Sequence, residues 1–271
     1  MEPIPPGASD AMVSTALEDR VIVIVGGTTG IGLAGAEVCL RAGAKVAVGG
    51  LEDEESREGA RRLGGETPVI FGDAGQPETV ERVVAEAVER YGKLDGLYHV
   101  AGGSGRSKGD GPLHELTDEG LEYTLRLNLF SVFYSNRAAV CRFIEQGTGG
   151  AILNVSSVLA YAPAPRYFAT HAYAAAKAGI IGLTRSAAAS YAPHNIRINA
   201  LAPALTNTPM ARRALADAEI MSFIQQKQPL DGGRAGMVSD LDAAVVFFLS
   251  DASRFITGQV LAVDGGWGVC G

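Results

Sequence analysis

The chain has 271 residues and is 47% apolar, enough to bury the core of one large domain. Its formal net charge of −7 argues against nucleic acid as the main partner, and three widely spaced cysteines (Cys39, Cys141, Cys270) provide neither a disulfide framework nor a metal-ligand cluster. The N-terminus lacks a basic stretch followed by an apolar run, and no window of about 18 uninterrupted apolar residues occurs, so the expectation is a cytoplasmic protein with no membrane span.

Residues 1–18 bear Pro, Ser and Asp and are expected to form a loose arm, followed by a single domain over 19–271. Short β-branched runs then alternate with helical stretches. Strands are predicted at Val21–Val25, Lys45–Val48, Pro68–Phe71, Gly96–Val100, Ala151–Val155, Arg197–Leu201 and Gln259–Val263. Helices are predicted over 30–42, 54–63, 77–91, 118–145, 172–192 and 239–250. Most strand candidates are apolar throughout, as for parallel strands covered on both faces. The repeated order predicts an α/β fold, a doubly wound parallel sheet of about seven strands with helices on both faces. Ligands in such sheets bind beyond the C-terminal strand ends. The segments 121–144 and 172–192 are apolar on nearly every face, which predicts burial all round and packing in a homo-oligomer, dimer or tetramer.

Two local patterns carry chemistry. Val21–Val25 runs into Gly26-Gly27-Thr28-Thr29-Gly30-Ile31-Gly32 and then a helix. Glycines allow a sharp turn and close backbone approach, and a helix N-terminus offers free N–H groups to a pyrophosphate. Farther on, Tyr173 and Lys177 stand four residues apart in an alanine-rich run, so a helix places phenol and amine on one face. An adjacent ammonium favours the phenolate, and burial disfavours both charged forms.

With Asn128, Ser157 and Tyr173/Lys177 in order after the glycine turn, the chain resembles the short-chain dehydrogenase/reductase family from about residue 18 to 267. The resemblance rests on Gly26-x-x-x-Gly30-Ile31-Gly32, Asp73-Ala74, His99-Val100-Ala101-Gly102, Leu127-Asn128-Leu129, Ile152 to Ser157, Pro203-Ala204 through Thr208-Pro209-Met210, and Asp264-Gly265-Gly266. It implies a Rossmann-type domain and an NAD(P)-dependent oxidoreductase acting on a secondary alcohol or ketone, with a substrate lid around 204–235. By this resemblance Tyr173 is the acid/base, and Lys177 lowers the phenol's pKa and holds the nicotinamide ribose. Ser157 orients the substrate oxygen, and Asn128 holds a water linking Lys177 to solvent. The implied dinucleotide contacts are Gly26, Thr28, Thr29, Gly30, Ile31, Gly50, Leu51, Asp73, Ala74, Ala101, Gly102, Tyr173, Lys177, Pro203, Leu205 and Thr208. Tyr167 competes with Tyr173 as acid, but His171 rather than Lys stands four residues later, so Tyr167 reads as a substrate-loop aromatic. His99 reads as structural.

The chain departs from the family pattern in several places. Val25 and Val100 replace a usual Thr and Asn, and are expected to form an apolar contact in place of a polar one. Gly50 stands where NAD binders carry Asp, and neither Leu51 nor Thr29 is the Arg of NADP binders, so NAD and NADP stay equally open. The acids Glu52, Asp53, Glu54 and Glu55 read as a solvated helix start. Ser157 and Tyr173 are separated by 16 positions, a few more than usual, which lengthens a loop holding Tyr161, Pro163, Pro165, Arg166, Tyr167 and Phe168. That loop, with Gly102–Gly111 and its Arg106 and Lys108, is expected to line the substrate cleft. A substrate with an apolar body and an anionic group fits those residue types. The alternative to an enzyme is a non-enzymatic dinucleotide-binding or regulatory protein on the same scaffold. A hydrolase is disfavoured, because no metal-ligand cluster occurs and the string Gly105-Arg106-Ser107-Lys108-Gly109 falls within a glycine-rich loop rather than at a strand-to-helix elbow.

Overall fold

The structure is a computed structural model and describes residues 16–270. Seven parallel strands form one sheet in the order β3-β2-β1-β4-β5-β6-β7. They are β1 Val21–Val25, β2 Lys45–Gly50, β3 Val69–Phe71, β4 Gly96–His99, β5 Gly150–Val155, β6 Ile196–Pro203 and β7 Val260–Val263. The helices are α1 Gly30–Arg41, α2 Glu54–Leu63, α3 Pro77–Tyr91, α4 Asp118–Leu125, α5 Ser131–Gln146, α6 His171–Tyr191, α7 Arg212–Leu215, α8 Ala218–Lys227 and α9 Asp242–Leu249.

The apolar strands follow from a two-sided core. Ile22 and Ile24 pack with Leu33, Val38 and Cys39 of α1 and with Val245, Phe248 and Leu249 of α9. Val21, Val23 and Val25 point the other way, onto Val80, Val83 and Ala87 of α3 and Ala139 and Phe143 of α5. Alternation along β1 therefore serves two cores, and none of its five positions faces water. Burying each such aliphatic side chain contributes about 1.5–3 kcal/mol. Chain order reverses between β1 and β4, which opens a crevice at their C-terminal ends.

Some expectations change. The loose arm of residues 1–18 falls mostly outside the described residues, but its end is packed: Leu17 is fully buried and its N–H donates to Ala42 O at 2.9 Å. The helix expected over 118–145 is continuous but carries a π-helical turn at Arg126–Phe130. There the side chains of Asn128 and Ser131 bond the carbonyls of Thr124 and Leu127, four residues back, at 2.9 and 2.6 Å. Neither long helix is buried all round: Ala175, Ala178, Gly182 and Ala189 of α6 and Phe133 and Ile144 of α5 are exposed. The sheet covers one side of each helix and leaves the other unpartnered. Among the described residues, no helix is long and apolar enough to cross a membrane.

Candidate active site

A continuous cleft of about 550 Å³ lies along the C-terminal strand ends, and all sixteen residues expected to contact the dinucleotide line it. At its base the β1–α1 turn is built for close approach. Gly26 has a φ of +83°, and a Cβ there would stand 2.5 Å from Ala101 N. A Cβ on Gly32 would overlap the carbonyl of Gly26. The turn is tied down by Gly26 and Gly27, which donate to Gly49 O at 2.8 and 3.0 Å. Thr29 precedes α1 without a side-chain cap bond, so the first-turn amides face the cleft with the positive end of the helix dipole. A bare cradle at a helix N-terminus fits a pyrophosphate, and the residues present suit a dinucleotide.

Thr28 lines this region but turns its hydroxyl into the protein, donating to Ser56 Oγ at 3.0 Å. A Cβ on Gly50 would collide with that threonine, so the missing acid at the end of β2 is a matter of space. The neighbouring acids are the expected helix start in part. Asp53 caps α2 by accepting Ser56 N–H at 2.7 Å, and Glu52 and Glu54 pair with Arg57 and Arg61. Glu55 lines the cleft and meets Arg212 of α7 at 2.9 Å.

At the other end Ser157, Tyr173 and Lys177 share one wall. Ser157 follows β5, and Tyr173 and Lys177 project from one face of α6. The turn before α6 is fixed by Asp110, whose two carboxylate oxygens accept Ala172 N–H at 3.1 Å and Tyr173 N–H at 3.0 Å. Lys177 is 3% exposed, donates to Val155 O at 2.9 Å, and places Nζ 5.5 Å from the Tyr173 ring centroid. Burial pushes the phenol up to about 12, against the lowering effect of the Ser157 hydroxyl. Burial also pushes the Lys177 amine down to about 8. Within the polypeptide alone burial dominates the phenol, and the lowering implied by the resemblance draws also on the positive charge of a bound nicotinamide. The ammonium lies over the face of the ring.

Asn128 does not reach the cleft. It is fully buried at the π-helical turn, one layer behind. Its amide donates to Gly103 O and Thr124 O, both at 2.9 Å, and its Oδ1 accepts Gly103 N–H at 3.0 Å. Both amide hydrogens are thus spent on main-chain carbonyls. A Cβ on Gly102 would sit 2.8 Å from Asn128 Oδ1 and 3.2 Å from Lys177 Nζ, so this glycine separates the two.

Val25 and Val100 do not form the expected side-chain pair. Val100 N–H donates to Val25 O at 2.8 Å, but the two side chains pack into opposite cores of the sheet. The backbone alone joins the turn to β4. His99 is structural: its ring meets Ser135 Oγ at 2.7 Å and Ala101 O at 3.2 Å, and burial holds its pKa down at about 3.

Tyr167 is held away from the acid's place, its hydroxyl donating to Glu219 at 2.9 Å. Arg166 is paired with the same carboxylate. Of the residues expected to line the cleft from the lengthened loop, Phe168 does so and Tyr161, Pro163, Pro165, Arg166 and Tyr167 do not; Leu159, just ahead of them, also lines it. Cleft residues that sequence reasoning missed include Tyr123, Arg126, Arg213 and Trp267. Trp267 is 2% exposed, donates to Ala162 O at 2.9 Å and packs edge-on against Phe168 and Phe223. Its position directly after Gly265-Gly266, as the sole tryptophan, was the available signal.

A family model described as enoyl-(acyl carrier protein) reductase matches residues 25–268. A 2,5-dichloro-2,5-cyclohexadiene-1,4-diol dehydrogenase of Sphingobium indicum is 34% identical over 93% of this chain and 98% of its own length. An L-rhamnose 1-dehydrogenase (NAD(P)(+)) of Azotobacter vinelandii is 36% identical over 92% of this chain and 97% of its own. Among solved structures, levodione reductase superposes with a TM-score of 0.81 at 30% identity, covering 93% of this chain and 98% of that one. The glycine cradle, the Ser157–Tyr173–Lys177 wall and these full-length similarities agree: the chain belongs to the short-chain dehydrogenase/reductase family and is an NAD(P)-dependent oxidoreductase.

Proposed function

We propose that this enzyme interconverts a secondary alcohol and its ketone, with Tyr173 exchanging the proton at the substrate oxygen. The observation that carries this reading is the placement of Ser157, Tyr173 and Lys177 on one wall of the cleft that also holds the glycine cradle. When bound, the nicotinamide supplies or accepts the hydride. The protein's part is orientation and proton transfer, the latter typically worth about 10²–10⁴ in rate. With its pKa pushed up to about 12, the phenol stays protonated at neutral pH and is set to donate to a ketone oxygen. Ser157 hydrogen-bonds and orients that oxygen. Lys177 spends one N–H on Val155 O and would offer the others to the ribose hydroxyls of a bound dinucleotide. Asn128 positions the Gly102–Gly103 backbone between itself and Lys177 rather than touching the reactants.

A passive dinucleotide-binding protein has no reason to bury an ammonium against one carbonyl, because burying a charge costs stability. That cost favours the enzyme over the regulatory alternative. The apolar cleft residues Leu159, Phe168, Met210 and Trp267 suit a compact carbon frame. Relatives named for a cyclohexadienediol and for L-rhamnose support a ring-bearing substrate. The chain is proposed to act in the cytoplasm as one domain over 19–271, preceded by the arm of residues 1–18. In it the segment 204–235, with α7 and α8, serves as the substrate lid. The exposed faces of α5 and α6 support a homo-oligomer.

The test is a screen of purified protein for NADH and NADPH oxidation against cyclic and acyclic ketones. Turnover with one ketone class is expected. Dinucleotide binding without turnover of any ketone, or of the matching alcohols in reverse, would favour the regulatory reading.

A further inference from the structure

Two arginines converge at the substrate end of the cleft. Arg106 lies in a short turn after β4, and Arg213 lies in α7; both line the cleft. Their guanidinium groups donate to the same atom, the main-chain oxygen of Tyr167, at 3.1 and 3.4 Å. Among the described residues, neither has a carboxylate within ion-pair distance. Asp110 is the acid whose charge acts on Arg106, but both its oxygens are committed to the N-terminus of α6. Burial and then the charge of Arg213 lower the Arg106 pKa, as expected for two cations gathered around one neutral oxygen.

The other basic side chains of these loops are accounted for. Arg166 is paired with Glu219, and Arg212 with Glu55. Lys108 lies over the Tyr123 ring and does not line the cleft. Each guanidinium carries five N–H donors in a planar fork that matches a carboxylate, and a single carbonyl uses little of that capacity. Leu159, Phe168 and Trp267 give the same cleft an apolar wall.

We propose that Arg106 and Arg213 form a carboxylate-binding subsite, so that the substrate is a secondary alcohol or ketone bearing a carboxylate on a compact apolar body. This deepens the oxidoreductase reading and rests on it. The subsite joins the loop after β4 to lid helix α7 through the Tyr167 carbonyl of the lengthened loop. An arriving carboxylate would neutralise the pair and draw those segments together. Arg213 would act as a specificity-determining residue brought by the lid, and Arg106 as its fixed partner.

The experiment measures binding and does not depend on turnover. Trp267 is the sole tryptophan and lines the cleft, so its fluorescence reports on occupancy. Cyclohexanecarboxylate, benzoate and hexanoate are titrated against wild-type protein, alongside their neutral carboxamides. The expected result is tighter binding of at least one acid over its amide, by about tenfold or more. That preference should disappear in Arg106→Gln and in Arg213→Gln. Both side chains are exposed enough for the fold to tolerate the change, and circular dichroism checks it. Equal binding of acids and amides, a preference that survives both substitutions, or no acid binding up to about 10 mM would overturn the subsite. Reduction of neutral ketones is assayed in parallel; if it proceeds while the acid preference is missing, the subsite alone is wrong.

Discussion

Asp110 holds Tyr173 by its backbone, the carboxylate accepting the residue's main-chain N–H at 3.0 Å. A buried carboxylate at a helix N-terminus satisfies orphan donors and meets the positive end of the helix dipole. Removing such a cap costs about 0.5–2 kcal/mol. Asp110→Ala is therefore expected to lower Tm by roughly 2–8 °C and to reduce kcat more than it raises KM. Asp110→Asn, which keeps one acceptor, should recover part of both losses. Scanning calorimetry and steady-state kinetics on the two variants check this; equal kcat in all three proteins would show that the bond does not position the phenol.

Lys177 makes stability depend on pH. Its folded pKa is about 8, below the ordinary 10.5. The unfolded state therefore binds more protons between those values, and stability rises with pH across that window. The contribution is fully present above about pH 10.5 and is lost as pH falls through about 8. In Lys177→Met this dependence is absent. The wild type should gain on the variant by about 1–3 kcal/mol between pH 7.5 and 10.5, read as the difference in urea midpoints. A constant difference across the window would contradict the buried-ammonium account.

Gly50 and Thr28 compete for one space. Gly50→Asp places a Cβ against the Thr28 side chain, and overpacking of this kind costs about 1–3 kcal/mol. Thr28→Gly/Gly50→Asp should restore stability and bind NAD more tightly than NADP, because the new carboxylate meets ribose hydroxyls and repels a phosphate. Thermal melts and dinucleotide titrations decide it. If Gly50→Asp alone melts like wild type, the space is not limiting.

The features legible in sequence were those fixed by local spacing. The four-residue step from Tyr173 to Lys177 sets a helix face, and the apolar run Val21–Val25 reads as a strand with two covered sides. The sixteen dinucleotide positions came from the family resemblance, and all of them line the cleft. What stayed hidden depends on tertiary contacts. The π-helical turn sits where Asn128 bonds the Gly103 backbone, a contact that no pattern within 118–145 records. Arg213 looked like any lid arginine until the Tyr167 carbonyl brought it beside Arg106. The Val25–Val100 pairing failed because their side chains enter opposite cores of the sheet. The phenol's upward shift depends on burial, and spacing carries no information about burial.

The outer faces of α5 and α6 offer a separate check. A Cβ on Gly182 meets nothing within 4 Å, so the chain itself has room for a side chain there. Gly182→Arg should leave the far-ultraviolet circular dichroism unchanged but dissociate the oligomer, as read by sedimentation velocity. A wild-type monomer, or an unaltered oligomer in the variant, would remove this face from the interface.

The central claim is that the Tyr173 hydroxyl carries the proton. Tyr173→Phe deletes that oxygen and keeps the ring beside Lys177. With the ketone that gives the best turnover in the screen, single-turnover reduction should fall by about 10²–10⁴, while reduced-nicotinamide fluorescence shows dinucleotide affinity within about threefold of wild type. Reduction by Tyr173→Phe at a rate close to that of the wild type would contradict the assignment.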